Sequence, residues 1–344
     1  MGSGIESPSV RRLIALPGRF AFRPETLPPD VVMGLALVPP VVAGLLLFRL
    51  VAVQMLGIAL AAGVASHLAA RLGRQPLRSS PAVSAVIGVA LLGPAAPPAW
   101  TAAVALLASA LEVARGRAAP ELRFQAGLAS FSVLAVAVVL GGRGMLTYLH
   151  PPDLRPFPEP VRLWLTYYPP GAAPLDPIRL YVGNVAGPVF ATSVVAALIA
   201  AMWLWHARRL ELWVVAGFLA GAAVPIAVWH WNPVFQLDSG PLWFALCLVL
   251  ADRRLLPMRA PPVLLPLLGF GAGAVALGLR SRGYAIEAVP ITIAAFQTAV
   301  SAAALGAWII AQRHRLMEAL SGLNRPPDNP FAPGALESAG ADND

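Results

Sequence analysis

The sequence predicts an all-helical protein that crosses a membrane about ten times. Composition is the first indication: 58% of the 344 residues are apolar and only 12% are charged, whereas a soluble domain carries about 25% charged residues. The mean hydropathy of +0.69 is correspondingly high. The second indication is that apolar runs recur along the chain, most of them close to the length of about 20 residues that a helix needs to cross a bilayer.

The apolar runs also suggest how the helices are arranged. They cover residues 31–48, 50–70, 82–95, 98–114, 125–142, 185–206, 212–230, 240–251, 262–279 and 288–311. The third and eighth runs are short, which favours half-helices or broken helices that neighbouring helices bury. Five runs precede the long segment 143–184 and five follow it, so the pattern favours two five-helix halves of opposite orientation, as in transporters built from inverted repeats.

The distribution of arginine indicates the orientation of these helices. Cytoplasmic loops of membrane proteins carry an excess of positive charge. Alternate loops hold arginine clusters, at Arg71, Arg74 and Arg78; Arg115, Arg117 and Arg123; Arg208 and Arg209; Arg253, Arg254 and Arg259; and Arg313 and Arg315. The segments GPAAPPAW and HWNPVFQLDSG contain no arginine. The pattern predicts an even number of helices with both termini in the cytoplasm.

This topology divides the chain into five segments. They are a cytoplasmic N-terminal segment 1–28, a first transmembrane half 29–142, an external loop 143–184, a second transmembrane half 185–315 and a cytoplasmic tail 316–344. The tail is rich in Pro, Gly, Asn and Asp and is expected to be disordered. The arginines lie between apolar runs and do not gather on one soluble face, so the lipid bilayer is an expected partner and nucleic acid is not.

Few side chains suggest chemistry. A single cysteine, Cys247, excludes an internal disulfide and a metal site built on several cysteines. The histidines lack ligand spacing, so no metal site is expected. No P-loop, dinucleotide-binding glycine pattern or nucleophile–base arrangement is present, and no catalytic residue is assigned. Most of the nine tryptophans lie near predicted helix ends, which is typical of an aromatic belt at the membrane interface.

Three carboxylates lie in or beside apolar runs. Glu112 is expected at the membrane interface, near a helix end. Asp252 ends the eighth run and is either a solvated helix end or a carboxylate of an ion path or a docking site. Glu287 lies in an apolar run near the external face, where an ionisable group is a functional candidate by default. Arg280 or Arg282 is its expected partner.

The segment Pro170 to Ser193, PGAAPLDPIRLYVGNVAGPVFATS, carries the most specific pattern. It resembles the RnfD/NqrB family, whose members are the membrane protein RnfD of the Rnf-type electron transport complex and the related NqrB of the sodium-pumping NADH:quinone reductase. In that family a run like S-G-A-T-P-L carries a threonine esterified to FMN, and G-N-x-x-G-S-x-G-E-T-S follows it. This chain keeps Gly171-Ala172, Pro174-Leu175-Asp176, Gly183-Asn184, Gly187 and Thr192-Ser193. Ala173 takes the place of the threonine.

Weaker matches accompany this segment in the expected order. RSRGYAIEAVPITIAAFQ aligns with a family run like R-x-x-G-x-x-x-E-G-V-x-x-A-x-L-x-x-N, with Gln297 in place of the asparagine. The segment GPLWFALCLVLADRRLLPMRAP also aligns with a family run, and it keeps the aspartate of that run as Asp252. The resemblance therefore adds Gln297 to Asp252 and Glu287 as candidates for an ion or proton path.

The resemblance implies a multi-pass subunit of the bacterial cell membrane, associated with other membrane subunits in electron transport coupled to ion movement. It implies at most a non-catalytic or flavin-binding subunit of a membrane oxidoreductase. Since Ala173 has no hydroxyl, covalent FMN is chemically impossible there. FMN or riboflavin is then held noncovalently or is absent. Noncovalent binding would use Gly171, Asp176, Asn184, Thr192 and Ser193.

Two alternatives remain open. The polar residues 184, 192 and 193 either cap a helix start or hold a flavin phosphate at that helix N-terminus. Phe190 and Ala191 replace the family's Gly-Glu, which favours a remodelled pocket. The chain is either a redox-complex subunit or a repurposed relative that serves in transport, as a scaffold or as a biosynthetic accessory protein. Relatives of the family are known in enediyne biosynthetic gene clusters and lack clear electron-transfer roles.

Overall fold

The computed structural model describes residues 27–74, 77, 80–117, 148–253, 256 and 263–323. Within these residues all regular elements are helices. In chain order they are α1 Pro29–Leu72, α2 Pro81–Ala90, α3 Pro98–Arg117, α4 Pro160–Tyr167, α5 Pro177–Val182, α6 Val194–His206, α7 Leu212–Val228, α8 Pro233–Asp238, α9 Leu242–Ala245 with its π-helical continuation Leu246–Leu250, α10 Leu264–Arg280 and α11 Ala288–Leu323. The predicted all-helical architecture is confirmed at this level.

Helix α1 accounts for the first two predicted runs. It has 44 residues, so a straight α1 would be about 66 Å long, roughly twice the hydrocarbon thickness of a bilayer. The helix breaks at Arg49, whose φ of 51° and ψ of −125° are not helical. This break falls at the sequence boundary between the two runs and leaves a segment of spanning length on each side.

Among the described residues, α1 is the one helix that is long and apolar enough to cross a membrane by length and composition. Six shorter apolar helical stretches of 10–17 residues accompany it, namely Pro81–Ala90, Pro98–Ala114, Val194–His206, Leu212–Val228, Leu264–Arg280 and Ala288–Ala299. The fifth predicted run, 125–142, lies outside the described residues. The ten-span count and the inverted repeat therefore stay predictions.

The third and eighth runs form short, buried helices, as predicted. Helix α2 has 10 residues, starts with Pro81 at its first turn and is buried along most of its length. Helix α9 has only four residues and changes to a π-helix that is also buried. Short helices end inside the protein, so their terminal carbonyls need partners from other segments.

The sixth predicted run begins as a helix later than expected, which corrects its boundary. Residues 185–193 are non-helical, and α6 begins at Val194. Pro188 disfavours helical conformation at the residue before it, which here is a glycine. The backbone N–H groups of Val189 and Phe190 instead donate to the carbonyls of Leu92 and Ala90, at the end of α2. This segment therefore caps the short helix.

The tail boundary also shifts. Helix α11 continues to Leu323, so the first residues of the tail predicted from position 316 are helical. The run RLMEAL consists of strong helix formers, and the Gly- and Pro-rich composition begins only after it. The rest of the tail lies outside the described residues.

Helices α7 and α10 pack closely through glycines in the first half of α10. A Cβ atom on Gly221 would lie 2.0 Å from the carbonyl oxygen of Phe270, and one on Gly273 would lie 2.0 Å from that of Phe218. Close backbone contact of this kind is typical of membrane helices in which small residues recur at every fourth position along a helix. Any larger residue at these positions would force the helices apart.

The predicted topology is testable at Pro156, an exposed residue of the segment expected outside the cell. In a chain with Cys247 replaced by alanine, a cysteine at position 156 should react with a membrane-impermeant thiol reagent in intact cells. A cysteine at Arg74, which is exposed in a predicted cytoplasmic loop, is the matched control and should react only after lysis. Labelling at 156 that also requires lysis would show that the topology is wrong.

Candidate functional site

The segment that resembles the flavin motif places its two halves in different environments. Gly171 and Ala173 are exposed in the connection between α4 and α5. Asp176 is the N-cap of α5, and its Oδ1 accepts a hydrogen bond of 3.0 Å from the backbone N–H of Ile178. This carboxylate therefore has a structural partner, and its negative charge is unsuited to binding a phosphate.

The second half of the motif is built around backbone contacts. The Thr192 hydroxyl donates to the carbonyl of Pro188 at 2.6 Å. The Ser193 hydroxyl donates to the carbonyl of Tyr181 at 3.2 Å and accepts from the backbone N–H of Ala196 at 3.3 Å. Ser193 is thus the N-cap of α6, which favours the capping alternative for this residue.

Asn184 does not lie at the start of α6, where it was expected. It follows Gly183, the residue after α5, and its backbone N–H donates to the carbonyl of Arg179. Gly183 has a φ of +87°, and a Cβ atom there would lie 2.8 Å from the backbone of Ser193. A glycine is therefore required at this turn, which packs against the N-cap of α6.

Phe190 is a core residue of this junction. It is buried, and a Cβ atom on Gly44 would lie 2.4 Å from its ring. The residues 171–176, GAAPLD, contain no hydroxyl that could form a phosphoester, and the hydroxyls of Thr192 and Ser193 are bonded to backbone carbonyls. The residues present do not fit covalent FMN at this segment.

Away from the flavin-like segment, the structure brings together four charged residues, of which Glu287 is one. Glu287 precedes α11 and is buried, with an exposed fraction of 5%. Its Oε1 accepts a hydrogen bond of 2.8 Å from Nη2 of Arg162, whose side chain is 35% exposed. This direct ion pair is not with Arg280 or Arg282, the expected partners, although Arg280 lies close enough to interact electrostatically with Glu287. Arg162 lies on α4 and is 125 residues away in sequence, so no local pattern could reveal it.

Arg280 is fully buried at the end of α10. One of its Nη atoms donates to the backbone carbonyl of Gln236 at 2.6 Å and to the Gln236 side-chain oxygen at 2.7 Å. The other donates to the carbonyl of Ser239 at 3.2 Å. These oxygens are all neutral, so Arg280 keeps its positive charge available to nearby carboxylates.

Glu159 completes the group, and sequence reasoning missed it. It is the N-cap of α4: its Oε2 accepts from the backbone N–H of Val161 at 2.7 Å. Its other oxygen, Oε1, lies 4.0 Å from Nε of Arg162. An acidic residue directly before Pro160 is a helix-start signal that the sequence does contain. We call Glu159, Arg162, Arg280 and Glu287 the carboxylate–arginine cluster.

Burial controls the proton affinity of Glu159. Removal from water, together with the negative charge of Glu287, raises the pKa of the Glu159 carboxyl from 4.5 to about 7. Its hydrogen bonds with the backbone and the charge of Arg162 oppose this rise. Burial and the two carboxylates also raise the pKa of Tyr148, which lies nearby. Glu159 can therefore gain or lose a proton near neutral pH.

Several buried polar atoms in this region have no hydrogen-bond partner among the described residues. Two are acceptors, Oε1 of Glu159 and Oε2 of Glu287, and three are donors: Nε of Arg280, Nε2 of Gln236 and Nε1 of Trp164. Buried polar groups are paired in folded proteins, with ordered water where no protein group serves. The region is therefore chemically suited to water and to proton exchange.

Aromatic side chains line one side of this region. Trp164 packs edge-on against Trp231 at a centroid distance of 5.3 Å and lies 6.2 Å from the ring of Phe235. Trp164 and Trp231 are both buried. The interpretation of the tryptophans as an interfacial belt is therefore wrong for these two.

Asp252 lies in a separate pair of ion contacts. Its Oδ2 accepts from Nη2 of Arg209 at 2.6 Å, and the neighbouring Arg253 donates to Glu211 at 2.8 Å. Asp252 is buried, so the alternative of a solvated helix end is wrong. The backbone pairing of Leu210 with Asp252 joins the two segments as well. These contacts tie the end of the π-helix to the start of α7.

The remaining candidates have partners on other helices. Nε2 of Gln297 donates to the carbonyl of Val249 in the π-helix at 3.4 Å. Glu112 is buried and accepts from the Ser84 hydroxyl of α2 at 3.2 Å; its interfacial position stays a prediction. In the part of the chain that the structure describes, no group of three or more His, Cys, Asp or Glu side chains is placed to hold a metal ion.

The all-helical architecture, with apolar helices around paired charges, is consistent with an α-helical membrane protein. A sequence model of the NQR2, RnfD, RnfE family matches residues 30–296, which is most of the chain. The chain belongs to this family, as its motifs predicted. Members take part in multi-subunit Rnf and Nqr membrane complexes. No curated protein matches the chain.

The pair of Glu287 and Arg162 gives a stability prediction. Breaking a fully buried ion pair costs about 3–5 kcal/mol. Because Arg162 is 35% exposed, solvent screens part of this interaction, and Glu287→Gln should lower the free energy of unfolding by about 2 kcal/mol. Denaturant unfolding of the purified chain in mixed micelles measures this loss.

Asp153→Asn is the control, because Asp153 is an exposed carboxylate in the segment before α4; it should change stability by less than about 0.5 kcal/mol. In the double variant of Glu287→Gln and Arg162→Gln, the two losses should not add, since both remove one interaction. Full additivity, or a Glu287→Gln variant as stable as wild type, would contradict the pairing.

Proposed function

We propose that the chain is an integral membrane component of an Rnf-like complex, in which electron transport is coupled to ion translocation. The observation that carries this proposal is the family match over residues 30–296. In this proposal the chain crosses the bacterial cell membrane about ten times, with both termini in the cytoplasm, and contacts other membrane subunits of the complex.

The carboxylate–arginine cluster supports a role in ion movement. Ionisable groups buried among membrane helices are costly, and they commonly mark ion paths and proton relays. Here two carboxylates and two guanidiniums meet where the ends of α4, α10 and α11 come together. Asp252 and Gln297 lie at other contacts of the short π-helical region and are further candidates for the path.

The altered flavin segment limits the electron-transfer part of this function. Ala173 cannot carry FMN, so electrons pass to other subunits or to a flavin held noncovalently. The same observation favours a second candidate function. A repurposed family member would keep the helices and the buried ion pairs for transport, scaffolding or a biosynthetic role without electron transfer.

Affinity purification of the full chain from its native host in a mild detergent distinguishes the two. If the chain is a component of a redox complex, flavin- or iron–sulfur-containing membrane subunits should co-purify with it in fixed ratio. Deletion of the chain should then abolish the electron transfer activity of that complex. Purification of the chain without redox subunits, together with unchanged electron transfer after deletion, would favour the repurposed alternative.

The absence of a hydroxyl at position 173 predicts that the denatured protein carries no flavin. A denaturing gel under ultraviolet light should show no fluorescent band for the wild type. Ala173→Thr restores the hydroxyl and, because Phe190 occupies the junction that follows, should still remain non-fluorescent when the family's flavin transferase is co-expressed.

The matched control for this experiment is an RnfD protein that has the threonine, expressed with the same transferase, which should fluoresce. A fluorescent wild-type band would contradict the loss of covalent flavin. A fluorescent Ala173→Thr band would contradict the remodelled pocket. It would show that the alanine at position 173 is the one change that prevents covalent attachment of the flavin.

A further inference from the structure

We propose that the carboxylate–arginine cluster is a proton-binding site, with Glu159 as the group that takes up the proton. The inference rests on the proposed function and deepens it, because it names the ion that the external side of the protein binds. It also assigns a role to a residue outside every motif that carries the family resemblance.

The hydrogen bonds of Glu159 show where the proton would go. Its Oε2 accepts from the N–H of Val161 and caps α4, while its Oε1 is buried without a hydrogen-bond partner among the described residues. Protonation at Oε1 forms one O–H bond and leaves Oε2 as a carbonyl oxygen that still accepts from Val161. The helix cap is therefore the same in both protonation states, and the proton can exchange without unfolding α4.

The groups around Glu159 favour a proton over a metal cation. The groups that face it are Arg162 on its own helix, Glu287 before α11, Arg280 at the end of α10 and Tyr148 before α4. With both carboxylates ionised, two negative and two positive charges balance, and uptake of either a proton or a sodium ion would add one positive charge. A sodium ion would in addition need several lone-pair ligands, and only two acceptor oxygens of the cluster lack a partner among the described residues, whereas a proton needs one carboxylate oxygen.

The unpartnered donors agree with this choice. Nε of Arg280, Nε2 of Gln236 and Nε1 of Trp164 each carry hydrogen and have no lone pair to offer a cation. Water can accept from all three donors and donate to the two free carboxylate oxygens. Arg162 contacts both carboxylates, and its partly exposed side chain reaches from the solvent into the cluster. It provides the entrance for proton exchange.

Infrared difference spectroscopy of the purified full chain in lipid nanodiscs tests the proposal. Stepping the pH from about 5 to about 9 spans the range in which ordinary carboxyl groups are already ionised. The wild type should lose one protonated-carboxyl band with a midpoint near pH 7. Glu159→Gln should lose this transition while remaining folded, since the glutamine side-chain oxygen still caps α4.

Two further variants establish which residues control the band. Glu287→Gln removes a neighbouring negative charge and should shift the midpoint to lower pH by about 1 unit. Glu211→Gln is the control: Glu211 is also buried and paired with an arginine, Arg253, but lies in the other ion-pair group. It should leave the band and its midpoint unchanged.

The titration is repeated with sodium chloride in place of choline chloride. A midpoint that does not depend on sodium supports the proton site. A midpoint that falls as sodium rises would identify a sodium site and overturn the proposal, as would a missing band or a band that persists in Glu159→Gln. The titration needs no redox partner. Failure of the purification experiment with a normal titration would therefore refute the proposed complex and leave the proton site in place.

Discussion

The fully buried guanidinium of Arg280 is the constraint on which the packing around the end of α10 depends. A charged group in an apolar interior is tolerated only when most of its hydrogen bonds are met. Two carbonyls and one amide oxygen, all from the α8 region, accept hydrogen bonds from its Nη atoms, while its Nε has no partner among the described residues. Arg280 thereby joins the end of α10 to α8. Glycine contacts pack the first half of α10 against α7, and Glu287 directly precedes the next helix, α11.

The need to pair buried hydrogen-bonding groups also explains why this chain keeps part of the flavin motif although Ala173 replaces the threonine that carries the flavin. Gly183 allows the tight turn against Ser193, and Ser193 caps α6. The N–H groups of Val189 and Phe190 satisfy carbonyls at the end of α2. Each of these residues supports the junction between two buried helices whether or not a flavin is bound. Ala173, in contrast, lies exposed outside that junction, so the junction does not depend on a hydroxyl at that position.

The sequence predicted the helical class, the short buried third and eighth helices and the break near Arg49, because each depends on local composition or spacing. The cap at Ser193 was one of two alternatives that the sequence left open. The sequence did not predict the partner of Glu287, since Arg162 comes from a different helix and ion pairs between distant segments leave no periodic signal. Glu159 precedes a proline at a helix start, which is a local signal. The start of α4, however, is buried against distant residues such as Ala285 and Ile286, and the sequence alone does not show that packing.

Position 173 and the carboxylate–arginine cluster depend on different parts of the structure. Position 173 lies in the exposed connection between α4 and α5, whereas the cluster is held by the start of α4, the end of α10 and the start of α11. Among the described residues, the hydrogen bonds of the cluster do not involve positions 171–176. Replacing a buried ionic group by well-packed apolar side chains is often neutral or stabilising, so packing alone does not require these charges. The proposed proton site is therefore separable in structure from electron transfer through position 173.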